Sequence, residues 1–158
     1  MSLLAFFQWC YQTDIGEYIR NSSWLFPVIE AVHLLGFGLT LGSVLIVELR
    51  LLGAGLSRQP VSQLAANSQP WLLGGIGLMF ASGIPLFLSE SIKAYYSSAF
   101  WVKMTSLFLV LLYTFTLRRR ITGTDLATQR PRLARSLAAI SLCLWFGVAW
   151  GGRWIGFS

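Results

Sequence analysis

Glu30 and His33 stand three residues apart inside an apolar run, and that pair concentrates the chemistry of this sequence. On a helix the two side chains share a face, where a carboxylate orients an imidazole, fixes its tautomer and suits it to hold a metal or relay a proton. Ionisable groups at membrane depth are costly and mark functional positions. His33 is the single histidine of the chain. That count excludes a site built from several histidines and a bis-histidine haem held within one protomer. Cys10 and Cys143 are far apart, with no CxxC or CxxCH spacing. A disulfide scaffold, a zinc module and a covalently attached haem are therefore disfavoured.

Other polar residues fall at comparable depths on other apolar segments. Met79 is expected near the level of His33, sharing a face with Ser82, Gly83 and Glu90, while Lys103 enters its segment close to one end. Arg153 follows Trp150 by three positions on a stripe with Phe146 and Cys143. A thioether and an imidazole deep in the membrane, cations at the rim and glycines that open a flat slot are what a non-covalent b-type haem requires. The residues predicted to hold it are His33, Met79, Lys103, Arg153, Glu30 and Trp150, with His33 and Met79 as the candidate metal ligands. A second protomer's His33, or an empty sixth position, is the alternative to Met79. Each residue also has a plain structural reading: a hydrogen-bonded histidine, a core methionine, and basic side chains that snorkel to the interface.

The elements that must position these residues follow from composition. The chain has 158 residues, 55 % hydrophobic and only 11 % charged, with mean hydropathy +0.63; soluble domains carry about 25 % charged residues. Apolar segments of about 20 residues, the length that crosses ~30 Å of hydrocarbon, lie at about 24–47, 71–89, 100–117 and 136–156. This predicts an all-α membrane protein: an antiparallel bundle of four transmembrane helices (residues 23–158) preceded by an interfacial helical segment (residues 1–22). Asn21-Ser22-Ser23 offers capping chemistry for the first span, and Pro85 is expected to kink the second near its end. Gly38 and Gly42 form a GxxxG step, and Gly74, Gly75, Gly77 and Gly83 offer a second small-residue surface.

Twelve basic against six acidic residues give a net charge of +6. Arg50 and Arg58 lie in the 48–70 connection, and Arg118, Arg119, Arg120, Arg130, Arg132 and Arg135 in the 118–135 connection. By the positive-inside rule both connections face the cytoplasm, which places both termini on the opposite, periplasmic side of a bacterial inner membrane. The arginines thereby read as topology determinants that face lipid headgroups, and no nucleic-acid partner is expected. The lipid bilayer is the first partner; a homo-oligomer or a larger membrane complex is compatible with the glycine faces.

The succession Pro27-x-x-Glu30-x-x-His33-Leu34-Leu35-Gly36, Glu48-Leu49-Arg50-Leu51-Leu52-Gly53, Pro70-Trp71, Ser82-Gly83, Phe100-x-x-Lys103 and Gly152-Arg153-Trp154-Ile155 resembles a bacterial family of uncharacterised integral membrane proteins with a domain of unknown function, from about residue 13 onward. The layout is more distantly similar to HemJ-type protoporphyrinogen oxidases and CopD-type copper-resistance modules. The first of these resemblances implies b-type haem ligated at the position of His33 and an essential lysine at the position of Lys103. The sequence departs from those patterns where Tyr113-Thr114 replaces a histidine that often follows the lysine-bearing span, and it lacks the His- and Met-rich segments of copper traffic.

The leading expectation is a b-type haem membrane protein serving electron transfer or acting as a redox subunit, with haem in the outer half of the bundle. A cofactor-free structural or accessory subunit that docks through its glycine faces and its aromatic N-terminus (Phe6, Phe7, Trp9, Tyr11) is the alternative. A proton carrier built on Glu30, His33 and Glu48 is a third reading, and a soft Cu(I) site would draw on His33, Met79, Met104 and Cys10. Neither a phosphate loop nor a nucleophile constellation is present.

Overall fold

The computed structural model describes residues 2–54, 58–123 and 129–156. Two short helices, α1 (Leu3–Tyr11) and α2 (Asp14–Asn21), precede the long helices α3 (Leu25–Leu52) and α4 (Val61–Tyr96). After Ser97 the chain turns into α5 (Ser98–Tyr113), passes through a π-helical turn (Thr114–Arg118) into the short α6 (Arg119–Gly123), and returns along α7 (Pro131–Ile155). No strand occurs among the described residues. The architecture is the all-α four-span bundle expected from the hydropathy, and all four long helical stretches are long and apolar enough to cross a bilayer.

The helices outrun the apolar segments that predict them. α4 has 36 residues, about 54 Å at 1.5 Å per residue, because it continues as helix through Ser62–Pro70 on one side and Glu90–Tyr96 on the other. Pro85 lies within α4, and beyond it the backbone leaves helical geometry at Glu90 (φ −123°, ψ 22°). The N-terminal segment is latched onto that break. Arg20 on α2 donates from Nη1 to the carbonyls of Ser89 (3.1 Å) and Leu88 (3.4 Å), and from Nη2 to Tyr11 O (2.7 Å) while lying over the Tyr11 ring. One guanidinium thus satisfies carbonyls at the kink and at the end of α1 together. Gly16 is the residue of α2 that meets α4, since a Cβ there would lie 2.6 Å from Leu88 O.

Packing is dominated by two pairs, α3 with α4 and α5 with α7, joined by contact between α3 and α7. In the first seam a Cβ on Gly75 would fall 2.5 Å from Thr40 Oγ1 and 2.8 Å from Gly36 O. In the second a Cβ on Gly151 would fall 2.8 Å from Ala99 O, and one on Gly147 2.6 Å from Ser106 Oγ. These are the positions where only glycine lets the backbones approach. The GxxxG expectation is corrected here: Gly38 and Gly42 face open space, as do Gly74 and Gly77. The reason is helical phase, because the face of α3 that meets its neighbours carries Gly36, Thr40, Ser43, Val44, Val47 and Glu48.

α4 and α5 are joined through Ser97 yet diverge instead of pairing along their lengths. The bundle is therefore open on one side, with α3 and α7 as its floor and α4 and α5 as its walls. An apolar core of Val44, Leu72, Val110, Trp145 and Val148 closes the floor of this opening, and a second core of Val47, Leu51, Leu64, Ile121, Ala134 and Ala138 seals the arginine-rich end. Within a bilayer such side chains stabilise the bundle by close van der Waals packing, since lipid is as apolar as they are.

Candidate functional site

The gap between α4 and α5 is a cavity of about 440 Å³. All four long helices line it: His33 from α3, Met79 and Gly83 from α4, Lys103, Met104 and Leu107 from α5, Trp145 from α7. Phe7 and Leu3 of α1 close one end of it. Phe7 is 4 % exposed, and its ring packs edge-on against Phe87 (5.3 Å) and Tyr95 (5.3 Å), while its carbonyl accepts from Ser91 Oγ at 3.0 Å. The N-terminal helix, expected as an interfacial segment, also caps this cavity. Phe87 and Phe100 stack across the same end at 5.8 Å, so α4 and α5 meet there through rings.

His33 is held from α4, by the Ser82 side chain and the backbone at Met79. Its Nδ1 lies 3.0 Å from Ser82 Oγ, and the Ser82 hydroxyl donates to Leu78 O at 2.6 Å. A hydroxyl has one hydrogen, so with that hydrogen given to Leu78 the oxygen accepts from His33 Nδ1–H. In that tautomer Nε2 keeps its lone pair. Gly83 is what lets the ring lie down against α4, for a Cβ there would sit 3.1 Å from Cε1 and 3.4 Å from Nδ1. Ser82 and Gly83 were legible as residues on the face of Met79, but the role of Ser82 as the partner of His33 was not; the expected partner, Glu30, is exposed and makes no hydrogen bond to the ring among the described residues. Spacing of three residues puts Glu30 on the correct half of the helix, but Ser82 on the abutting helix reaches the ring first.

Lys103 runs along α7, with Nζ 3.7 Å from where a Cβ of Gly152 would stand. It lines the cavity in the neighbourhood of His33, and no acidic side chain pairs with it among the described residues. A largely dehydrated ammonium on an apolar cavity calls for an anionic group on whatever fills the space.

The six predicted binding residues divide cleanly. His33, Met79 and Lys103 converge on the cavity; Glu30, Trp150 and Arg153 do not line it. Trp150 stacks on Trp154 at 5.4 Å and is 43 % exposed, and Arg153 is exposed on the same outward face, as are Phe146 and Cys143. The inward face of α7 carries Ser141, Trp145, Val148 and Gly151 instead, a phase that aromatic residues on both faces conceal in the sequence. Trp145, 1 % exposed, is the cavity tryptophan. The soft-metal set is likewise divided, since Met104 joins His33 and Met79 at the cavity but Cys10 does not line it. Among the described residues no three His, Cys, Asp or Glu side chains gather into a metal-only site.

A family model matches residues 6–158, nearly the whole chain. The chain belongs to DUF6644, a family of unknown function. No curated protein and no solved structure matches it. Membership in DUF6644 thus supplies no chemistry, and the cavity geometry carries the functional reading.

Proposed function

We propose that this DUF6644 protein is an integral membrane protein that binds b-type haem in the cavity between α4 and α5, serving electron transfer or acting as a redox subunit. The observation that carries the reading is the His33–Ser82–Leu78 chain, in which an Nδ1–H imidazole keeps Nε2 for a ligand. The donor set fits the group: a neutral imidazole nitrogen, an apolar and aromatic enclosure, and the Lys103 ammonium for a propionate. Met79 and His33 hang from helices in direct contact, Met79 N being 3.0 Å from where a Cβ of Gly36 would lie. His33 would be the protein ligand to such a group, and Met79 would form part of the wall beside it. A bound haem supplies one-electron chemistry; the protein's part is to fix the imidazole, pair the anionic edge and exclude water with the Phe7, Phe87 and Phe100 rings.

The arginine distribution supports placement in a bacterial inner membrane with the α3–α4 and α6–α7 connections cytoplasmic and both termini periplasmic. The test of function is haem content. Protein produced with ample haem supply and purified in mild detergent should release about one non-covalent haem b per chain into acid acetone. Folded protein with no extractable haem would contradict the reading. The second reading, a cofactor-free accessory subunit, draws on Gly38 and Gly42, which leave an open face on α3; a stable stoichiometric partner on a colourless protein would favour it.

A further inference from the structure

Away from the cavity, toward the arginine-rich end, the bundle buries a second group of polar side chains. Glu48 on α3 is fully buried with its carboxyl turned to the Ser141 hydroxyl, and neither carboxyl oxygen makes a well-formed hydrogen bond among the described residues. Beside it lie Arg118 from the π-helical turn, Tyr113 from α5 and Ser141 from α7. Arg118 is itself 5 % exposed and reaches Ser43 O at 3.5 Å through Nη2, while its Nε, the Tyr113 hydroxyl and the Ser141 hydroxyl are all buried without partners. At this level α4 buries Leu64 and the Ser68 hydroxyl, and α6 buries Ile121, so neither helix brings a charged group.

Buried polar atoms are almost always satisfied, so several orphans in one place mark a site whose partners are water. A packed structural ion pair would look different, with carboxylate oxygens in contact with guanidinium nitrogens. A route for that water is visible. A small cleft of about 40 Å³ between α4 and the π turn, lined by Gln69, Thr114, Arg118, Arg119 and Thr122 among others, has Arg118 as its inner wall. The π turn makes this possible, because an extra residue in the turn rotates Arg118 inward. Sequence reading places Arg118 in a connecting loop with its neighbours; the structure buries it.

We propose that Glu48 is a proton-exchanging carboxyl, served by internal water that enters through the cleft at Arg118. A proton delivered by that water adds to the Glu48 carboxylate to give the neutral acid, and Arg118 remains cationic throughout. Ser141 and Tyr113 are the hydroxyls that hold the water against the carboxyl. The site is independent of any group in the cavity, although Trp145, one helical turn beyond Ser141, spans the distance between them with an unpartnered indole nitrogen.

The test is infrared spectroscopy of the full-length protein in lipid nanodiscs, read in the carboxylic C=O stretching region. The expected result is a band of a buried protonated carboxyl that appears as pH is lowered, shifts within minutes of transfer into deuterium oxide, and is absent in Glu48→Gln. Gln69→Trp, placed at the exposed lip of the cleft, should keep the band and slow its deuterium shift several-fold. Should Glu48→Gln fail to fold, labelling of glutamate with carbon-13 together with Glu48→Asp assigns the band, since a Glu48 band loses its isotope shift in the aspartate variant. Absence of any Glu48-dependent band at every pH, or a band that resists deuterium for hours, would overturn the proposal and leave a sealed structural charge.

Discussion

Ser82 Oγ stands 3.0 Å from His33 Nδ1 while giving its own hydrogen to Leu78 O. The single histidine is thereby oriented by a serine on the neighbouring helix, and the backbone of α4 sets the direction of its free nitrogen. Ser82→Ala removes that orientation without touching the cavity wall. Loss of a hydrogen bond that orients a ligating imidazole lowers ligand affinity by about 10- to 100-fold, whereas one neutral hydrogen bond is worth only about 1 kcal/mol of stability. Haem titration should therefore show markedly weaker binding by Ser82→Ala in a protein that still melts near the wild-type temperature.

Gly83 makes a complementary prediction. A methyl at this position meets the imidazole at 3.1 Å, so Gly83→Ala must shift the ring by a few tenths of an ångström. The expected readout is a changed optical spectrum of the bound haem, with overpacking costing about 1–3 kcal/mol. An unchanged spectrum would mean that the ring does not lie where Gly83 leaves room.

The two kinds of glycine on α3 and α4 can be told apart by stability. Gly75→Ala places a methyl 2.8 Å from Gly36 O, a backbone atom that cannot step aside, and should destabilise the bundle by roughly 1–3 kcal/mol. Gly38→Ala and Gly42→Ala enter open space and should fall within about 0.5 kcal/mol of the parent in the monomer. Denaturation in detergent, scored by near-UV circular dichroism, measures all three. A large effect at Gly38 or Gly42 would instead point to a second chain packed on that face.

Arg20 latches the cap. Arg20→Ala loses its hydrogen bonds to Leu88, Ser89 and Tyr11, a cost of about 2 kcal/mol for a half-buried charged donor, and should free α1 and α2 from α4 before the long helices melt. Cys10 reports that event. It is 2 % exposed, and burial holds its thiol above the ordinary cysteine value of 9.0. A raised pKa means that the reactive thiolate is scarce at neutral pH and grows as pH rises through and beyond the ordinary value. Labelling by a water-soluble maleimide should therefore be slow in the parent, accelerate with alkalinity, and be much faster at neutral pH in Arg20→Ala. Equal rates in the two proteins would show that the latch does not hold the cap.

Much of the fold was legible because hydropathy and length alone define spans, and the four apolar runs do become the four long helices. What the runs could not give was phase. On α3 the GxxxG step at Gly38 and Gly42 competes with Gly36, Thr40 and Val44 for the inward face, and only contact with α4 decides between them. On α7 Trp145 and Trp150 are equally apolar, so the inward tryptophan is set by Gly147 and Gly151 packing on α5. His33 and Met79 could be brought together from depth alone, since both lie well inside their spans, and Lys103 enters its own span nearer the rim. Ser82 and Arg20 were hidden because their partners are backbone carbonyls or a ring on another helix, contacts with no sequence signature. Arg118 was read as a loop residue because a π turn has no compositional mark that separates it from the end of an α-helix.

The central claim is that His33 Nε2 is held free to bind iron in the cavity between α4 and α5. It is tested most directly by the reduced-minus-oxidised optical difference spectrum of the purified protein beside that of His33→Ala. The account predicts the bands of a b-type haem in the parent and their loss in the folded His33→Ala variant. Identical haem bands in both proteins, or none in a parent protein made with ample haem, would contradict it.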